Sequence, residues 1–219
     1  MRHDEGLVIV LSGFSGAGKG TIMKHLLEQY PDQYHLSVSA TTRQPRTGEE
    51  EGREYFFKSR DEFERMISAG EFLEYATFNH QYYGTPKAYV EKLIREGKDV
   101  ILEIEVQGAL QVREAFPKAL LLFVTPPSAE ELKERLLGRG TESEEVVEQR
   151  LAISSKESLL MPEYDYLIVN DVLEDAVKEV HRIIMSTHYA TIHNTGTIRD
   201  MQQQLLAFAV GEEPKGDTE

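Results

Sequence analysis

The glycine-rich segment after the first apolar run constrains the fold of this chain more than any other feature. Leu7 to Leu11 is a continuous run rich in β-branched residues, which is typical of a strand buried on both faces. The segment from Gly13 to Lys19 follows, and apolar residues at helical spacing continue as far as Tyr30. Glycines let backbone N–H groups point inward, the helix N-terminus adds positive partial charge, and a lysine reaches the outer phosphates of a nucleotide. The order of strand, glycine-rich loop and helix therefore predicts a P-loop.

The residue after Lys19 departs from the usual P-loop pattern. Gly20 stands where most P-loops carry a serine or threonine that contacts magnesium, and a hydroxyl follows one residue later at Thr21. We therefore expect Mg²⁺ to be held mainly by the phosphates of the bound nucleotide and by water, with Thr21 as a candidate ligand. The alternative is an ordinary glycine-rich turn, which the flanking strand and helix disfavour. The residues predicted to bind nucleotide phosphates here, and to bind ATP if the family resemblance described below holds, are Gly13, Phe14, Ser15, Gly16, Ala17, Gly18, Lys19, Gly20 and Thr21.

Strand-like runs and helical patterns alternate along the rest of the chain. The predicted strands are 35–40, 99–104, 119–124 and 166–169. Between them, Thr85 followed by Pro86 predicts a helix start, and Ser128 with Glu131 predicts a capping box. An apolar stripe predicts a long helix from Leu173. Alternating strands and helices indicate an α/β fold, with a parallel sheet flanked by helices as in P-loop nucleotide-binding proteins.

Two segments interrupt this alternation, and a tail follows it. Residues 41–85 contain aromatic-rich runs around a short helix capped at Ser59, which predicts a small mixed or antiparallel insert. Residues 127–163 are highly charged and helical, which predicts a mobile lid. The tail at 190–219 is expected to form an amphipathic helix and then to be disordered. The sequence does not decide whether that helix docks on its own domain or on a second copy of the chain, so a homo-oligomer is one of two open alternatives. The parts predicted as the core are 1–40, 86–126 and 164–189.

Composition and charge exclude several classes of function. The chain has 38 acidic and 24 basic side chains, and its net charge of −14 repels a polyanionic backbone, so we expect no nucleic-acid partner. Cysteine is absent, which rules out disulfides, thiolate metal sites and cysteine nucleophiles. The apolar run near the start is too short for a signal sequence or a membrane span. A cytoplasmic location without membrane contact is therefore expected.

A second group of candidate residues lies between the P-loop and the predicted lid. Arg43 and Arg46 flank Pro45, and arginine suits bidentate clamping of a phosphate. Taken singly, each residue has an ordinary explanation, because loop arginines are usually solvated and a lone glutamate is usually a surface charge. Other members of the group are Tyr55, Glu74, Tyr83 and Thr85.

Taken together, these stretches resemble the guanylate kinase family. The resemblance runs from about Leu7 to about His188, and the ILEIEVQGA form is similar to that of bacterial members. It rests on SGFSGAGKGT, SATTRQPRTGEEEGREYFF, EFLEYATFNHQYYGTP, ILEIEVQGALQV, RLLGRGTESEEVVEQRL and VND. The resemblance implies transfer of the γ-phosphoryl group of ATP to GMP, and also to dGMP, with Mg²⁺ bound to ATP.

The resemblance also assigns roles to single residues. Glu103 and Glu105 stand where the family often carries aspartate, and Asn170 falls where the family helps to hold the adenine end of ATP. The implied GMP-binding residues are Ser39, Arg43, Arg46, Tyr55, Glu74, Tyr83, Thr85, Glu103 and Glu105. The implied catalytic residues are Lys19 and Arg43, together with the lid arginines Arg135, Arg139 and Arg150. An alternative explanation of the lid arginines is helix pairing, such as Glu131 with Arg135.

The chemistry of guanine supports the assignment of Glu74 independently. Guanine presents N1–H and the 2-amino group side by side, and a carboxylate accepts from both, whereas adenine has no such pair of donors. Two other functions are weighed against this one. The first is a P-loop kinase for another nucleotide or a phosphorylated sugar, which Ser39, Glu74 and Thr85 disfavour. The second is a catalytically inactive guanylate-kinase-like module that binds phosphorylated proteins, which the presence of Lys19 and the lid arginines disfavours.

Overall fold

A computed structural model describes residues 5–138 and 143–209. The strands in these ranges are β1 (Val8–Gly13), β2 (Tyr34–Leu36), β3 (Ser39–Thr41), β4 (Tyr55–Phe57), β5 (Phe72–Phe78), β6 (Gln81–Pro86), β7 (Asp99–Glu103), β8 (Leu120–Thr125) and β9 (Tyr166–Val169). The helices are α1 (Lys19–Gln29), α2 (Arg60–Ser68), α3 (Lys87–Arg95), α4 (Val106–Ala115), α5 (Ala129–Gly138), α6 (Glu144–Glu157), α7 (Leu173–Thr187) and α8 (Thr195–Ala209). Short 3₁₀ helices lie at Ser158–Glu163 and Thr191–His193.

The larger sheet has five strands in the order β2-β7-β1-β8-β9, and every neighbouring pair is parallel. Its central strand β1 is buried along its whole length, as the continuous apolar run predicts. Alternate residues of β1 face opposite layers, because successive side chains of a strand point to opposite faces. Ile9 packs in the cluster that contains residues of α1 and α7, while Val10 packs in the cluster with residues of α3 and α4. The predicted α/β fold with a parallel sheet flanked by helices is confirmed.

The smaller sheet is mixed and has the order β4-β3-β6-β5. Strands β3 and β4 are parallel, whereas β6 runs antiparallel to both β3 and β5. Helix α2 covers this sheet, and its Phe63 is buried against Phe72 with ring centroids 4.3 Å apart. The hydroxyl of Ser59 accepts the N–H of Glu62 at 3.2 Å, so the predicted cap of this helix is present.

The prediction of one strand at 35–40 is wrong, because this stretch contributes to both sheets. Leu36 in β2 pairs with Ile101 in the parallel sheet, whereas Ala40 in β3 pairs with Gly84 in the small sheet. The chain leaves the first sheet at Ser37, whose N–H is donated to the carbonyl of Ile101 at 2.9 Å. An alternating pattern indicates which side chains share one face of an extended chain. The pattern does not change when that chain leaves one sheet and joins another, so it does not reveal the change of partner.

Two predicted helix starts also differ in detail. Thr85 does not cap α3, because it lies in β6, and Pro86 is the capping residue. The hydroxyl of Ser128 accepts the N–H of Glu131 at 3.1 Å, as the capping box requires. The carboxylate of Glu131 accepts a hydrogen bond from Arg135 at 2.8 Å. It does not accept the main-chain N–H of Ser128, the second hydrogen bond of a capping box, among the hydrogen bonds of the described residues.

The charged region and the tail form helices in the described residues. In the region predicted as a lid, Leu132, Leu136 and Val147 are buried in the same cluster as the core around β1. Helix α8 presents Met201, Leu205 and other apolar side chains to solvent. The final segment EEPKGDTE, for which the sequence predicts disorder, lies outside the described residues. Within the described ranges, no helix combines the length and apolarity that a membrane crossing requires.

Candidate active site

The predicted P-loop connects the buried end of β1 to the first residue of α1. Gly13, Gly16 and Gly18 have positive φ angles of 138°, 92° and 92°, a backbone region that favours glycine. At Gly13 a Cβ atom would collide with the carbonyl oxygen of Val124, so glycine is also required by the approach of β8. Gly18 in the left-handed conformation caps α1, which begins at Lys19. The loop therefore turns directly into a helix N-terminus, the arrangement that favours anion binding.

The side chain of Lys19 lies across the loop from which it starts. Its Nζ atom donates to the carbonyl oxygens of Gly13 at 2.7 Å and Phe14 at 3.1 Å. Gly20 faces Glu103, since a Cβ atom at Gly20 would lie 3.4 Å from Oε1 of that carboxylate. Thr21 is exposed, and its carbonyl oxygen contacts the ring of His25 at 2.9 Å. A carboxylate thus lies beside the position where other P-loops have their hydroxyl.

Asn170 supports the loop from the end of β9. Its side chain is buried, and Nδ2 donates to the carbonyl oxygen of Ala17 at 2.8 Å. The same Nδ2 atom occupies the space that a Cβ atom at Gly18 would need. Ala17 and Phe14 are buried beneath the loop, and Phe14 packs edge-on against Phe123. The predicted ATP residue Asn170 is therefore joined to the P-loop through a main-chain contact.

The predicted lid arginines differ in what they contact. Arg150 on α6 donates through Nη1 to the hydroxyl of Ser15 at 2.7 Å, which ties this helix to the P-loop. Arg135 on α5 donates to Glu131 at 2.8 Å, as the helix-pairing alternative predicts. Arg139 lies outside the described residues. Arg150 is thus the predicted lid arginine that the structure brings to the P-loop.

The two predicted phosphate-clamping arginines converge on one carboxylate. Arg43 donates to both oxygens of Glu49, at 2.9 and 3.0 Å, and the main-chain N–H of Arg46 donates to the same carboxylate at 2.7 Å. The hydrogen bond from Arg43 lowers the pKa of Glu49, and the carboxylate in turn raises the pKa of Arg43. Glu49 is a site residue that sequence reasoning missed, although its place three residues after Arg46 in a loop was an available signal.

Aromatic rings and strand β3 complete the neighbourhood of Arg43. The guanidinium of Arg43 lies over the ring of Tyr55, 5.3 Å from its centroid, and the ring of Tyr83 lies 6.0 Å from that of Tyr55. Ser39, at the start of β3, pairs with Tyr55 in the sheet. The side chain of Arg46 is exposed. The structure thus brings Arg43, Tyr55 and Tyr83 together, with Ser39 on an adjacent strand.

Glu74 and Thr85 form a buried pair across two antiparallel strands. They are register partners in β5 and β6, and the hydroxyl of Thr85 donates to Oε1 of Glu74 at 2.7 Å. Glu74 is 7% exposed and Thr85 is 0% exposed. Burial raises the pKa of Glu74, while the hydrogen bonds from Thr85 lower it, and burial has the larger effect. A buried carboxylate with one oxygen held by a neutral hydroxyl is a suitable acceptor for a pair of N–H donors.

Acidic side chains surround the P-loop lysine. Glu103 lies at the end of β7, and desolvation raises the pKa of its carboxylate, with a smaller opposing effect of Lys19. Desolvation also raises the pKa of Glu157 at the end of α6, with the charge of Glu105 adding to the effect. Glu157 was not identified from the sequence, because nothing in a charged helix distinguishes one glutamate from the others. Within the described residues, no group of three or more histidine or acidic side chains is arranged to hold a metal ion by itself.

Comparisons with known proteins agree with this geometry. A family model described as "Guanylate kinase" matches residues 5–187. The guanylate kinase of Bacillus anthracis is 52% identical over 188 residues, which cover 86% of this chain and 92% of the relative. The guanylate kinase of Streptococcus thermophilus (strain CNRZ 1066) is 50% identical over 198 residues, or 90% of this chain and 95% of the relative. This chain belongs to the guanylate kinase family.

A solved structure supports the same membership. The crystal structure of guanylate kinase from Anaplasma phagocytophilum superimposes with a TM-score of 0.66 at 33% identity, covering 87% of this chain and 90% of that one. The predicted family is therefore confirmed. Both sheets and helices α1 to α7 lie inside the matched residues 5–187, whereas α8 lies beyond them.

Proposed function

We infer that this member of the guanylate kinase family transfers the γ-phosphoryl group of ATP to GMP, which yields ADP and GDP. The observation that carries this proposal is the buried Glu74–Thr85 pair in a protein that also has a P-loop with its lysine in place. A buried carboxylate whose hydrogen-bonding partner is a neutral hydroxyl suits a base with two adjacent N–H donors. No observation favours the catalytically inactive binding module.

ATP is proposed to bind with its phosphates in the P-loop. The main-chain N–H groups between Gly13 and Lys19 and the N-terminus of α1 supply the donors. Nζ of Lys19 already lies at the loop, and a shift away from the carbonyl oxygens of Gly13 and Phe14 brings it onto the outer phosphates. Asn170 holds the loop in shape through Ala17, and we propose that it also borders the adenine end of ATP.

The acceptor phosphate is proposed to bind beside Arg43. The guanidinium is oriented by Glu49 and by the ring of Tyr55, so its remaining N–H groups point in a fixed direction. Arg46 and the hydroxyls of Tyr55 and Tyr83 add donors around the same point. A nucleotide phosphate is ionised at neutral pH, so the reaction requires positioning and charge stabilisation rather than a general base.

The guanine ring is proposed to bind at Glu74, Thr85 and Ser39. The carboxylate of Glu74 accepts N1–H and the 2-amino group, and its partner Thr85 keeps the carboxylate from rotating. Adenine offers an unprotonated N1 at this place, which leaves the buried carboxylate without a donor and opposes binding. Mismatches of this kind discriminate between substrates by about 10⁴-fold or more in favourable cases.

Magnesium is proposed as the metal that accompanies ATP. Mg²⁺ is usually held by one or two carboxylates together with substrate phosphates and water, and the carboxylate of Glu103 beside Gly20 fits this pattern. Glu105 and the hydroxyl of Thr21 are the other candidate contacts from this chain. When bound, the metal offsets negative charge on the phosphates. Lys19 and Arg150 place further positive charge around the transferred group.

Arg150 is proposed to close over the transferred group. Its Nη1 atom already donates to the hydroxyl of Ser15 in the P-loop, and this contact supports the proposal. Arg135 and Arg139 are proposed to assist from the other lid helix and the residues after it, which requires Arg135 to leave Glu131. Closure of this kind excludes water, which otherwise competes with GMP as the acceptor.

The proposed function is tested by measuring ADP formation with Mg-ATP and each of GMP, dGMP, AMP, CMP and UMP in turn. We expect turnover with GMP and dGMP and at least about 10³-fold lower kcat/KM with the other three. Turnover with another monophosphate alone would assign a different acceptor. Tight GMP binding without any ADP formation would support the binding module instead.

A further inference from the structure

Helix α4 touches the buried carboxylate of Glu74 at a glycine. Gly108 is buried in the first turns of α4, and a Cβ atom there would lie 2.9 Å from Oε2 and 3.4 Å from Cδ of Glu74. Such an approach is closer than real Cβ atoms make, so this carboxylate fits only because position 108 has no side chain. The other oxygen, Oε1, is held by Thr85. The carboxylate is therefore confined between a hydroxyl on one side and a helix backbone on the other.

The same helix fastens the strand that carries Glu74. The main-chain N–H of Tyr75 donates to Oε1 of Gln111 at 3.1 Å, and Nε2 of Gln111 donates back to the carbonyl oxygen of Tyr75 at 3.2 Å. Strand β5 is an edge strand of the small sheet, so the amide of Gln111 takes the place of a neighbouring strand at the residue directly after Glu74. One helix thus fixes both the backbone and the side-chain direction of this glutamate.

We propose that Gly108 and Gln111 are positioning residues that determine base specificity, and that α4 is the element that aligns Glu74 with guanine. This inference rests on the proposed function and deepens it, because it concerns how the guanine site is held. Neither residue touches the substrate in this account. Gly108 leaves room for the carboxylate in one orientation, and Gln111 holds the edge of β5 against the core.

An added methyl group at Gly108 is expected to impair the guanine site without loss of the fold. The atoms that a new Cβ meets first belong to the free end of the Glu74 side chain, and the next neighbour is Cδ1 of Ile104 at 3.4 Å. A methyl group is therefore accommodated by a rotation of the Glu74 carboxylate out of its present position, without displacement of main-chain atoms. The fold is expected to persist, while the carboxylate no longer lies where the two guanine donors need it.

The test compares Gly108→Ala with Gly196→Ala, a helical glycine of α8 at which an added methyl group would meet no atom within 4 Å. The readout is kcat/KM for GMP and for IMP, which lacks the 2-amino group, together with KM for ATP. We expect Gly108→Ala to reduce the GMP-to-IMP ratio by about tenfold or more, the cost of a lost hydrogen bond to a charged group. KM for ATP should change by less than about twofold, and Gly196→Ala should match the wild type, because neither methyl group approaches the P-loop.

A second pair of variants tests the contact to β5. Gln111→Leu keeps the size of the side chain but removes both hydrogen bonds to Tyr75, and Gln203→Leu on the exposed face of α8 is its control. We expect Gln111→Leu to raise KM for GMP several-fold and to lower the ratio of kcat/KM for GMP to that for IMP. Gln111→Asn should show the same changes, because its shorter side chain does not reach the main chain of Tyr75. An unchanged ratio in both Gly108→Ala and Gln111→Leu overturns the proposal. Equal losses for GMP and IMP with a lower Tm also overturn it, since a purely structural role predicts them.

Measurements on the wild-type protein distinguish a failure of this inference from a failure of the proposed function. If the wild type forms no ADP with GMP, the proposed function fails before any variant is compared. If the wild type prefers GMP to IMP and both the Gly108→Ala and the Gln111→Leu proteins keep the full preference, the reaction stands and only the role of α4 is wrong.

Discussion

The hydroxyl of Thr85 donates a 2.7 Å hydrogen bond to Oε1 of Glu74, and both side chains are buried in the small sheet. A neutral hydroxyl offsets only part of the cost of burying a carboxylate, because hydrogen bonds to a charge contribute about 1.5–3 kcal/mol while desolvation costs more. The pKa of Glu74 is therefore raised on balance. The site holds a carboxylate that is unfavourable for the unliganded protein and favourable once two N–H donors arrive.

Glu74→Gln should separate base selection from stability. The amide still accepts from Thr85 but presents only one acceptor oxygen to guanine, so kcat/KM for GMP should fall by about 10- to 100-fold, the cost of a lost charge-assisted hydrogen bond. Thermal unfolding at pH 7 should show an equal or higher Tm, since a buried charge is removed. Glu64→Gln on the exposed face of α2 is the control, and unchanged preference for GMP in Glu74→Gln contradicts the assignment of the guanine site.

The stability difference between the wild type and Glu74→Gln should depend on pH with a definite sign. Below the ordinary glutamate pKa of 4.5, Glu74 is neutral in both the folded and unfolded states. As pH rises from 4.5 through the raised folded pKa, the unfolded state releases its proton first, so the wild type loses stability relative to the variant. The difference in the free energy of unfolding should grow across that window and then stay constant. Urea denaturation at several pH values measures it, and a difference that shrinks with rising pH would be inconsistent with a raised pKa.

Thr85→Val should shift the acidic limb of the activity profile. Valine has nearly the shape of threonine but cannot donate, and the hydrogen bonds from Thr85 lower the pKa of Glu74. Without the hydroxyl, the pKa of Glu74 rises further, so kcat/KM for GMP should begin to fall at a higher pH than in the wild type. A pH profile of kcat/KM between about pH 5 and 8 tests this. Thr77→Val on the exposed half of β5 should leave the profile unchanged.

Local patterns predicted the conformation of the P-loop better than the surroundings of Glu74. The run from Leu7, the glycines and Lys19 lie within a few residues of one another, so strand, loop and helix follow from sequence order alone, and α1 begins at the expected residue. The contact of Gly108 with Glu74 joins residues far apart in the chain. A glycine in a helix carries no sequence signal for such an approach.

Predictions from local sequence failed where residues make contacts with distant parts of the chain or with a folded loop. Thr85 has the features of a helix cap, but its hydroxyl is used by Glu74 across the sheet. The stretch 35–40 keeps its alternating pattern while it passes from the partner Ile101 to the partner Gly84. The ion pair between Glu49 and Arg43 depends on the conformation of the loop that joins them, and the composition of that loop does not predict its conformation.

Lys19→Met should abolish most of the activity without loss of the fold. Lys19 sits at the mouth of the P-loop and is the cation expected on the outer phosphates of ATP. Loss of one such transition-state contact lowers kcat by about 10²–10³-fold. Lys24→Met is the matched control, because Lys24 lies on the same helix with an exposed side chain that contacts only Glu28 among the ion pairs described for it, at 3.9 Å. Full turnover by Lys19→Met rules out the P-loop assignment.

Arg150→Ala should lower kcat more than it changes KM for GMP. The guanidinium contacts Ser15 in the P-loop and is expected to offset charge on the transferred group, which is largest in the transition state. We expect a fall in kcat of about 10²-fold. Loss of this arginine should also increase ATP hydrolysis relative to GDP formation, because closure excludes water. Lys133→Ala, at an exposed position of α5, serves as the control, and a proportional fall in both products argues against a role in closure.

The buried contact between His188 and Asp99 should stabilise the fold without affecting catalysis. Nε2 of His188 lies 2.8 Å from Oδ2 of Asp99, and Oδ1 of the same carboxylate accepts the N–H of Leu7 at 2.8 Å. This contact fastens the end of α7 to the amino ends of β7 and β1, at the edge of the sheet opposite the P-loop. His188→Ala leaves a buried carboxylate short of a partner, so the free energy of unfolding should fall by about 1–3 kcal/mol. The double variant with Asp99→Ala should lose less than the sum of the two single losses, since neither side chain then lacks its partner. Additive losses, or a change in KM for either substrate at a temperature where the variants are folded, contradict this role.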